Sequence, residues 1–62
     1  PPNHPDLAKS YNNIGTIYED MNNYSKARTF YKHAIQIGQQ SLPSNHPDLQ
    51  QWRTNLEYVK NK

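Results

Sequence analysis

One five-residue segment occurs twice in this chain of 62 residues, and it limits the possible folds more than any other feature. Residues 3–7 (NHPDL) return unchanged as residues 45–49, 42 residues later. A repeat period of roughly 20 to 50 residues is typical of stacked-repeat proteins, in which each unit buries its hydrophobic face only against its neighbours. We therefore expect a repeat architecture. The match continues at the same offset in the pairs Pro1/Pro43, Asn13/Asn55, Ile14/Leu56 and Ile17/Val59.

The composition agrees with a unit that depends on its neighbours for packing. Apolar residues make up 32% of the chain and the mean hydropathy is −1.21, and a domain of this size buries only about 60% of its unfolded surface. The absence of cysteine excludes a disulfide framework and thiol chemistry, and it favours a reducing, cytoplasmic location. The chain starts with two prolines and stops soon after a helical pattern, so we expect it to be a segment of a longer array.

Charge and hydropathy argue against nucleic acid and membrane as partners. The net charge is only +2, which is too small to indicate nucleic-acid binding by itself. No apolar run approaches the roughly 18 residues of a membrane span, and no signal-peptide pattern opens the chain. Residues 25–44 contain no acid, so this basic stretch is either a nucleic-acid stripe or a solvated convex face, and we favour the second. Its basic residues are Lys26, Arg28, Lys32 and His33.

The first repeat predicts helix A over residues 5–21, after an extended lead-in at residues 1–4. Proline suits the first helical position, as at Pro5, and Asp6 places a negative charge in the first turn. Gly15 costs about 1 kcal/mol relative to alanine inside a helix, so we expect another helix to approach closely there. The apolar stripe is Leu7, Tyr11, Ile14, Tyr18 and Met21.

Asn22 and Asn23 predict a tight turn, in which the first ends helix A and the second caps helix B. Helix B is expected over residues 24–42, since Pro43 disfavours a helical residue before it. A turn this short makes the two helices an antiparallel hairpin. The stripe of helix B that faces helix A is predicted to be Ala27, Tyr31, Ala34 and Gly38, widened by Phe30 and Ile37.

Helix C is expected over residues 47–60, and it begins as helix A does. Where helix A carries Gly15, helix C carries Glu57. Helix C therefore lacks the small residue that would receive a following helix, and we predict a capping helix with a polar outer face. The chain therefore divides into a complete repeat, residues 1–43, and residues 44–62, which are the first helix of a second repeat or a capping helix. The apolar face of helix C is Leu49, Trp52, Leu56 and Val59.

The order and spacing of these residues resemble the tetratricopeptide repeat, in its 42-residue variety similar to that of kinesin light chain. This resemblance implies an all-α fold: a helical hairpin plus a third helix, as a fragment of a right-handed solenoid. It also implies a protein-interaction module without catalysis or cofactor. The residues that carry it are Tyr11, Ile14, Gly15, Tyr18, Tyr24, Ala27, Tyr31 and Ala34, together with the NHPD lead-in.

The resemblance places a peptide-binding groove on the first helix of each repeat. Asn13 and Asn55 take the position of an asparagine ladder, whose side-chain amides both donate and accept hydrogen bonds and so suit a peptide backbone. The alternative for this pair is that both simply face water or bond to a neighbouring turn. Asn12, Thr16 and Lys9 are expected beside them on the groove wall, as is Glu19.

Other chemistry has little support in the sequence. His4 and His46 each precede an Asp by two residues, but we expect them to serve the starts of helices rather than a metal. No arrangement typical of nucleophilic catalysis or of a phosphate-binding loop is present, so we expect no enzyme. The alternative to a peptide-binding module is a structural unit, excised or engineered, that self-associates through its open ends.

Overall fold

The chain folds into three α-helices, which a computed structural model describes for residues 4–62. They are α1 (Pro5–Asp20), α2 (Tyr24–Ser41) and α3 (Pro47–Lys60), which correspond to the predicted helices A, B and C. The predicted boundaries are confirmed except that α1 and α2 each end one residue earlier than expected. The predicted lead-in falls largely outside the described residues, because they begin at His4.

The two copies of the repeated segment build the same helix start. In each, a histidine precedes the helix in an extended conformation, and its Nδ1 accepts a hydrogen bond of 3.1 Å from the backbone N–H of the aspartate two residues later. The donors are Asp6 for His4 and Asp48 for His46. Each histidine therefore satisfies one of the N–H groups that a helix start leaves without an intrahelical partner. The expected helix-start role of both histidines is confirmed.

The turn between α1 and α2 has the predicted chemistry. Asn22 adopts a left-handed conformation with φ of 62°, which asparagine tolerates better than most residues. The Asn23 side chain accepts a bond of 3.4 Å from the Lys26 N–H and so caps α2. At the other end of α2, Leu42 is extended, as the following proline requires.

The hairpin closes where Gly15 of α1 meets Tyr31 of α2. A Cβ built on Gly15 would stand 2.6 Å from Tyr31 Cε1, so only glycine leaves room for the ring. Tyr31 is fully buried, in one cluster with Ala27 and Val59. The close approach predicted at Gly15 is therefore present.

The third helix packs against α2 at a second glycine. A Cβ on Gly38 would lie 2.6 Å from Trp52 Cζ3 and 3.0 Å from Leu49 Cδ1, both on α3. Gly38 therefore faces α3, whereas the sequence pattern assigned it to the contact with α1. The second cluster of the core lies here and consists of Ala8, Ala34, Leu49 and Trp52.

The predicted apolar stripe of α1 is only partly buried. Leu7 is 37% exposed and Met21 is 59% exposed, whereas Ala8, which the pattern omitted, is fully buried. The face of α1 that contacts the rest of the fold is therefore the one that carries its small residues and not the predicted stripe. Ala8 and Gly15 allow a close approach that larger side chains would prevent.

Candidate functional site

A polar surface joins the first helix of each repeat. Asn55 Nδ2 of α3 donates a hydrogen bond of 3.0 Å to Asn12 Oδ1 of α1, and both side chains are partly buried. On the same side, Lys9 Nζ lies 3.9 Å from Asp48 Oδ2. Both contacts run from α1 to α3, although each of these helices packs mainly against α2 and they touch each other only weakly. We call Lys9, Asn12, Asn13, Thr16, Gln51 and Asn55 the polar surface.

Three side-chain amides form a chain of hydrogen bonds across this surface. Gln51 Nε2 donates to Asn55 Oδ1 at 3.1 Å, and Asn55 in turn donates to Asn12. Gln51 and Asn55 are four residues apart on α3 and therefore lie on one face of that helix. Asn55 is thus fixed from both sides. We call Gln51, Asn55 and Asn12 the amide chain.

The five residues predicted for the groove have different environments. Asn12 and Asn55 contact each other, and Lys9 pairs with Asp48. Asn13 is exposed, and the Thr16 hydroxyl donates to the Asn13 backbone carbonyl at 2.7 Å. The residue 42 positions before Asn55 is Asn13, yet the asparagine that Asn55 meets is Asn12.

Glu19, also expected on the groove wall, forms a side-chain hydrogen bond with α2. Its Oε1 accepts a hydrogen bond of 2.8 Å from the Tyr31 hydroxyl, which draws it toward α2. The pKa of Tyr31 is raised above its ordinary value, first by burial, then by the hydrogen bond to Glu19 and by the negative charges of Glu19 and Asp20. Glu19 therefore joins α1 to α2 through the Tyr31 hydroxyl.

Two features of this region were missed by the sequence reasoning. Gln51 belongs to the amide chain, and its spacing of four from Asn55 was the available signal. Tyr58 is 55% exposed, and Lys62 Nζ lies 4.5 Å from the centroid of its ring. It stands 42 residues after Thr16, so the repeat itself could have pointed to it.

Two of the four basic residues of α2, Lys26 and His33, lie against tyrosine rings. Lys26 Nζ lies 5.4 Å from the centroid of the Tyr18 ring, and the His33 ring meets Tyr11 edge-on at 5.5 Å. Phe30 stacks between these two tyrosines, at 6.0 Å from Tyr11 and 5.4 Å from Tyr18. Tyr11 and Tyr18 therefore pack between α1 and α2, and two basic side chains rest on them.

The chemistry available on the polar surface is hydrogen bonding. Amides donate and accept, the threonine hydroxyl does both, and Lys9 contributes one positive charge. Within residues 4–62, no group of three acidic, histidine or cysteine side chains is placed to hold a metal ion. The same part of the chain contains no helix long and apolar enough to cross a membrane.

A family model of the tetratricopeptide repeat matches residues 7–48, which is more than half of the chain and spans one full repeat period. The 42-residue subtype inferred from the sequence is consistent with this match. No curated protein matches the chain, and no solved structure does.

Proposed function

Because the chain belongs to the tetratricopeptide repeat family, a non-catalytic module that generally mediates protein–protein interaction, we propose that it binds a peptide segment of a partner protein. The peptide would lie along the polar surface, between α1 and α3. The residues proposed to contact or position it are Asn13, Asn55, Asn12, Thr16 and Lys9. A cytoplasmic location stays a prediction from the composition.

One observation carries this proposal: α1 and α3 meet through side-chain amides at Asn12 and Asn55, 3.0 Å apart. Polar side chains of the two helices thus meet at this point. An extended peptide has a free N–H and C=O at every residue except proline, and amides match both groups whatever the peptide's side chains are. The proposed mechanism is therefore recognition of the backbone.

The charges around this strip favour neither a strongly acidic nor a strongly basic peptide. Lys9 and Asp48 oppose each other across the helix gap, at 3.9 Å. Because the two side chains are 57% and 41% exposed, water screens their attraction, which contributes little to stability. We expect side-chain specificity to come from Tyr58 and Lys62, at the far end of α3.

The experiment begins with peptides selected from a phage-displayed random twelve-residue library on the immobilised chain. The selected peptide is then measured by calorimetry against the wild type and the double variant Asn13→Ala/Asn55→Ala. We expect about a tenfold loss of affinity, which corresponds to one or two neutral hydrogen bonds. The matched control is Gln39→Ala/Gln40→Ala, which removes two exposed amides of α2. Equal affinities for all three proteins would contradict the proposal.

A second candidate function is self-association, and a different observation favours it. Leu7 and Ile17 of α1 and Met21, the residue that caps its C-terminal end, are 37%, 57% and 59% exposed. Their spacing places them along one side of the helix. A second copy could cover this side. Sedimentation velocity as a function of protein concentration tests it, since a monomer at every concentration argues against assembly.

A further inference from the structure

We infer that one exposed side of α1 docks the second helix of another tetratricopeptide-type hairpin, and that this helix carries a large side chain where α2 carries Gly38. We call Leu7, Ser10 and Ile17, which are all exposed, the docking side. Stacking of repeats does not by itself specify that side chain, which follows from residues of this chain. Peptide binding at the polar surface is not required for it.

The α2–α3 interface shows what kind of element covers this side. In α3, Leu49 and Val59 are fully buried against α2, and Trp52 is only 4% exposed. The residues 42 positions earlier are those of the docking side, Leu7, Ser10 and Ile17. The docking side is therefore the face that an α2-type helix covers one period later in the chain. Because a repeat array uses the same interface at each period, the matching occupant is another α2-type helix.

A second copy of the chain cannot cover the docking side in this way. The face of α2 that would be needed, around Ala34 and Gly38, is already occupied by Leu49 and Trp52 of its own α3. If α1 displaced α3 from that face, Ser10 would replace the indole ring of Trp52, and buried apolar area would be lost. The occupant is therefore a helix whose own contact face is free.

The difference between Trp52 and Ser10 determines what this helix must carry. A Cβ on Gly38 would lie 2.6 Å from Trp52 Cζ3, so the indole ring fills the space that the glycine leaves. On the docking side, Ser10 leaves the equivalent space open. The Ser10 hydroxyl donates to the Asp6 backbone carbonyl at 3.1 Å, so apolar atoms can cover it without the loss of a hydrogen bond. A glycine opposite Ser10 would leave a cavity, whereas a large side chain would fill it.

The test places a second hairpin against the docking side. Residues 1–42 are joined directly before residue 1 of the complete chain, which keeps the 42-residue period. In the added hairpin, Gly38→Leu should raise the urea midpoint by about 0.5 M relative to Gly38→Ala, because the leucine fills the open space. Alanine is the matched control, since it also removes the glycine from the helix but is too small to fill that space. The same Gly38→Leu change in the complete chain should lower the midpoint, because Trp52 already occupies the space there.

A second variant tests the same space from α1. With glycine kept in the added hairpin, Ser10→Trp in the complete chain should also raise the midpoint, because the new ring fills the space as Trp52 does. When Gly38→Leu in the added hairpin is combined with Ser10→Trp, the two gains should not add, since both side chains need the same space. Equal midpoints for leucine and alanine in the added hairpin, or two gains that add fully, would overturn the inference.

The single chain provides one further outcome. Sedimentation velocity should show a monomer at every protein concentration, because a second copy has no free α2 face to offer. If the chain instead associates and Ile17→Lys makes it monomeric, a second copy covers the docking side and the inference is wrong. None of these results depends on a bound peptide, so failure of the proposed function leaves them unchanged.

Discussion

The helices α1 and α3 begin with the same residues but use different faces. Leu49 and Val59 of α3 are fully buried, whereas their counterparts in α1, Leu7 and Ile17, are 37% and 57% exposed. The identical start makes the two helices equivalent in register. Their difference in burial therefore comes from what lies beside each helix and not from the local sequence alone.

The opposite face shows the reverse difference. Ala8 and Gly15 of α1 are buried against α2, and the residues 42 positions later, Gln50 and Glu57, are exposed. Each helix thus has one face in contact with α2. In α1 it is the face that closes a hairpin, and in α3 it is the face that joins one repeat to the next. A repeat helix has two potential contact faces, and its neighbours decide which of them is buried.

The largest expected effect is at the buried member of the leucine pair. Leu49→Ala removes a side chain that packs on Gly38 and Trp52, and we expect it to lower the free energy of unfolding by about 2–5 kcal/mol. Leu7→Ala, the same change at the equivalent position, should cost less than about 1 kcal/mol, because that side chain is already partly in water. Urea unfolding followed by circular dichroism measures both.

The leucine comparison is sensitive to assembly. If Leu7→Ala proved as costly as Leu49→Ala, the exposed side of α1 would be covered in solution, and the two helices would be equivalent after all. Repeating the measurement at tenfold lower protein concentration would then show whether a second copy covers it, since the stability of an assembled form depends on concentration.

The two glycines compare the two interfaces of α2 directly. Gly15→Ala brings a methyl group to 2.6 Å from the Tyr31 ring, and Gly38→Ala brings one equally close to Trp52. We expect each to destabilise the fold by about 1–3 kcal/mol, although the same change at an open helical position stabilises by about 1 kcal/mol.

A second substitution tests the cause of the loss at Gly38. Trp52→Phe shortens the ring that the new methyl group meets, so the double variant Gly38→Ala/Trp52→Phe should lose less than the sum of the two single variants. Strict additivity would mean that the methyl group and the ring do not meet. Thermal unfolding of the four proteins gives the comparison.

Much of this architecture follows from the sequence, because it depends on short-range signals. Proline positions, the Asn22–Asn23 turn and the 42-residue period determine the helix boundaries to within one residue. The neighbour that each face meets is not local information. Gly38 belongs to the same stripe as Tyr31, yet it faces α3, and a helical spacing cannot distinguish two partners that approach from adjacent directions.

The sequence predicted which kinds of residue form the polar surface, but not which of them contact each other. The repeat indicated Asn13 and Asn55 as equivalent, but equivalent positions on neighbouring parallel helices do not have to touch. Asn55 reaches Asn12 instead. Glu19 was assigned to the same surface, and nothing in the sequence indicated that the Tyr31 hydroxyl of α2 donates a hydrogen bond to it. Such a contact depends on the tertiary placement of a residue twelve positions away.

The hairpin interface should also respond to alkaline pH, and the α2–α3 interface should not. The pKa of Tyr31 is higher in the folded chain than in the unfolded chain, since burial and Glu19 disfavour the phenolate. The hydroxyl therefore stabilises the fold fully below the unfolded pKa of about 10, and this contribution is lost as the pH rises above it. We expect stability to fall by about 1 kcal/mol between pH 10 and 11 on account of Tyr31. Tyr31→Phe should remove this loss, and Tyr58→Phe, at an exposed ring, should leave it unchanged. Urea midpoints across this pH range measure the effect.

The smallest effect is expected at the two helix starts, each of which has a histidine cap in different surroundings. His4 Nδ1 has the Asp6 carboxylate 3.7 Å away, whereas Asp48 beside His46 lies near Lys9 instead. Losing a helix cap typically costs about 1 kcal/mol. We expect His46→Ala to cost at least as much as His4→Ala, because α3 is the shorter helix and its first turn carries the buried Leu49.

Urea midpoints of the two single variants, measured at one pH, give the comparison. A larger loss for His4→Ala than for His46→Ala would show that the length of the helix and the burial of Leu49 do not decide what the cap contributes.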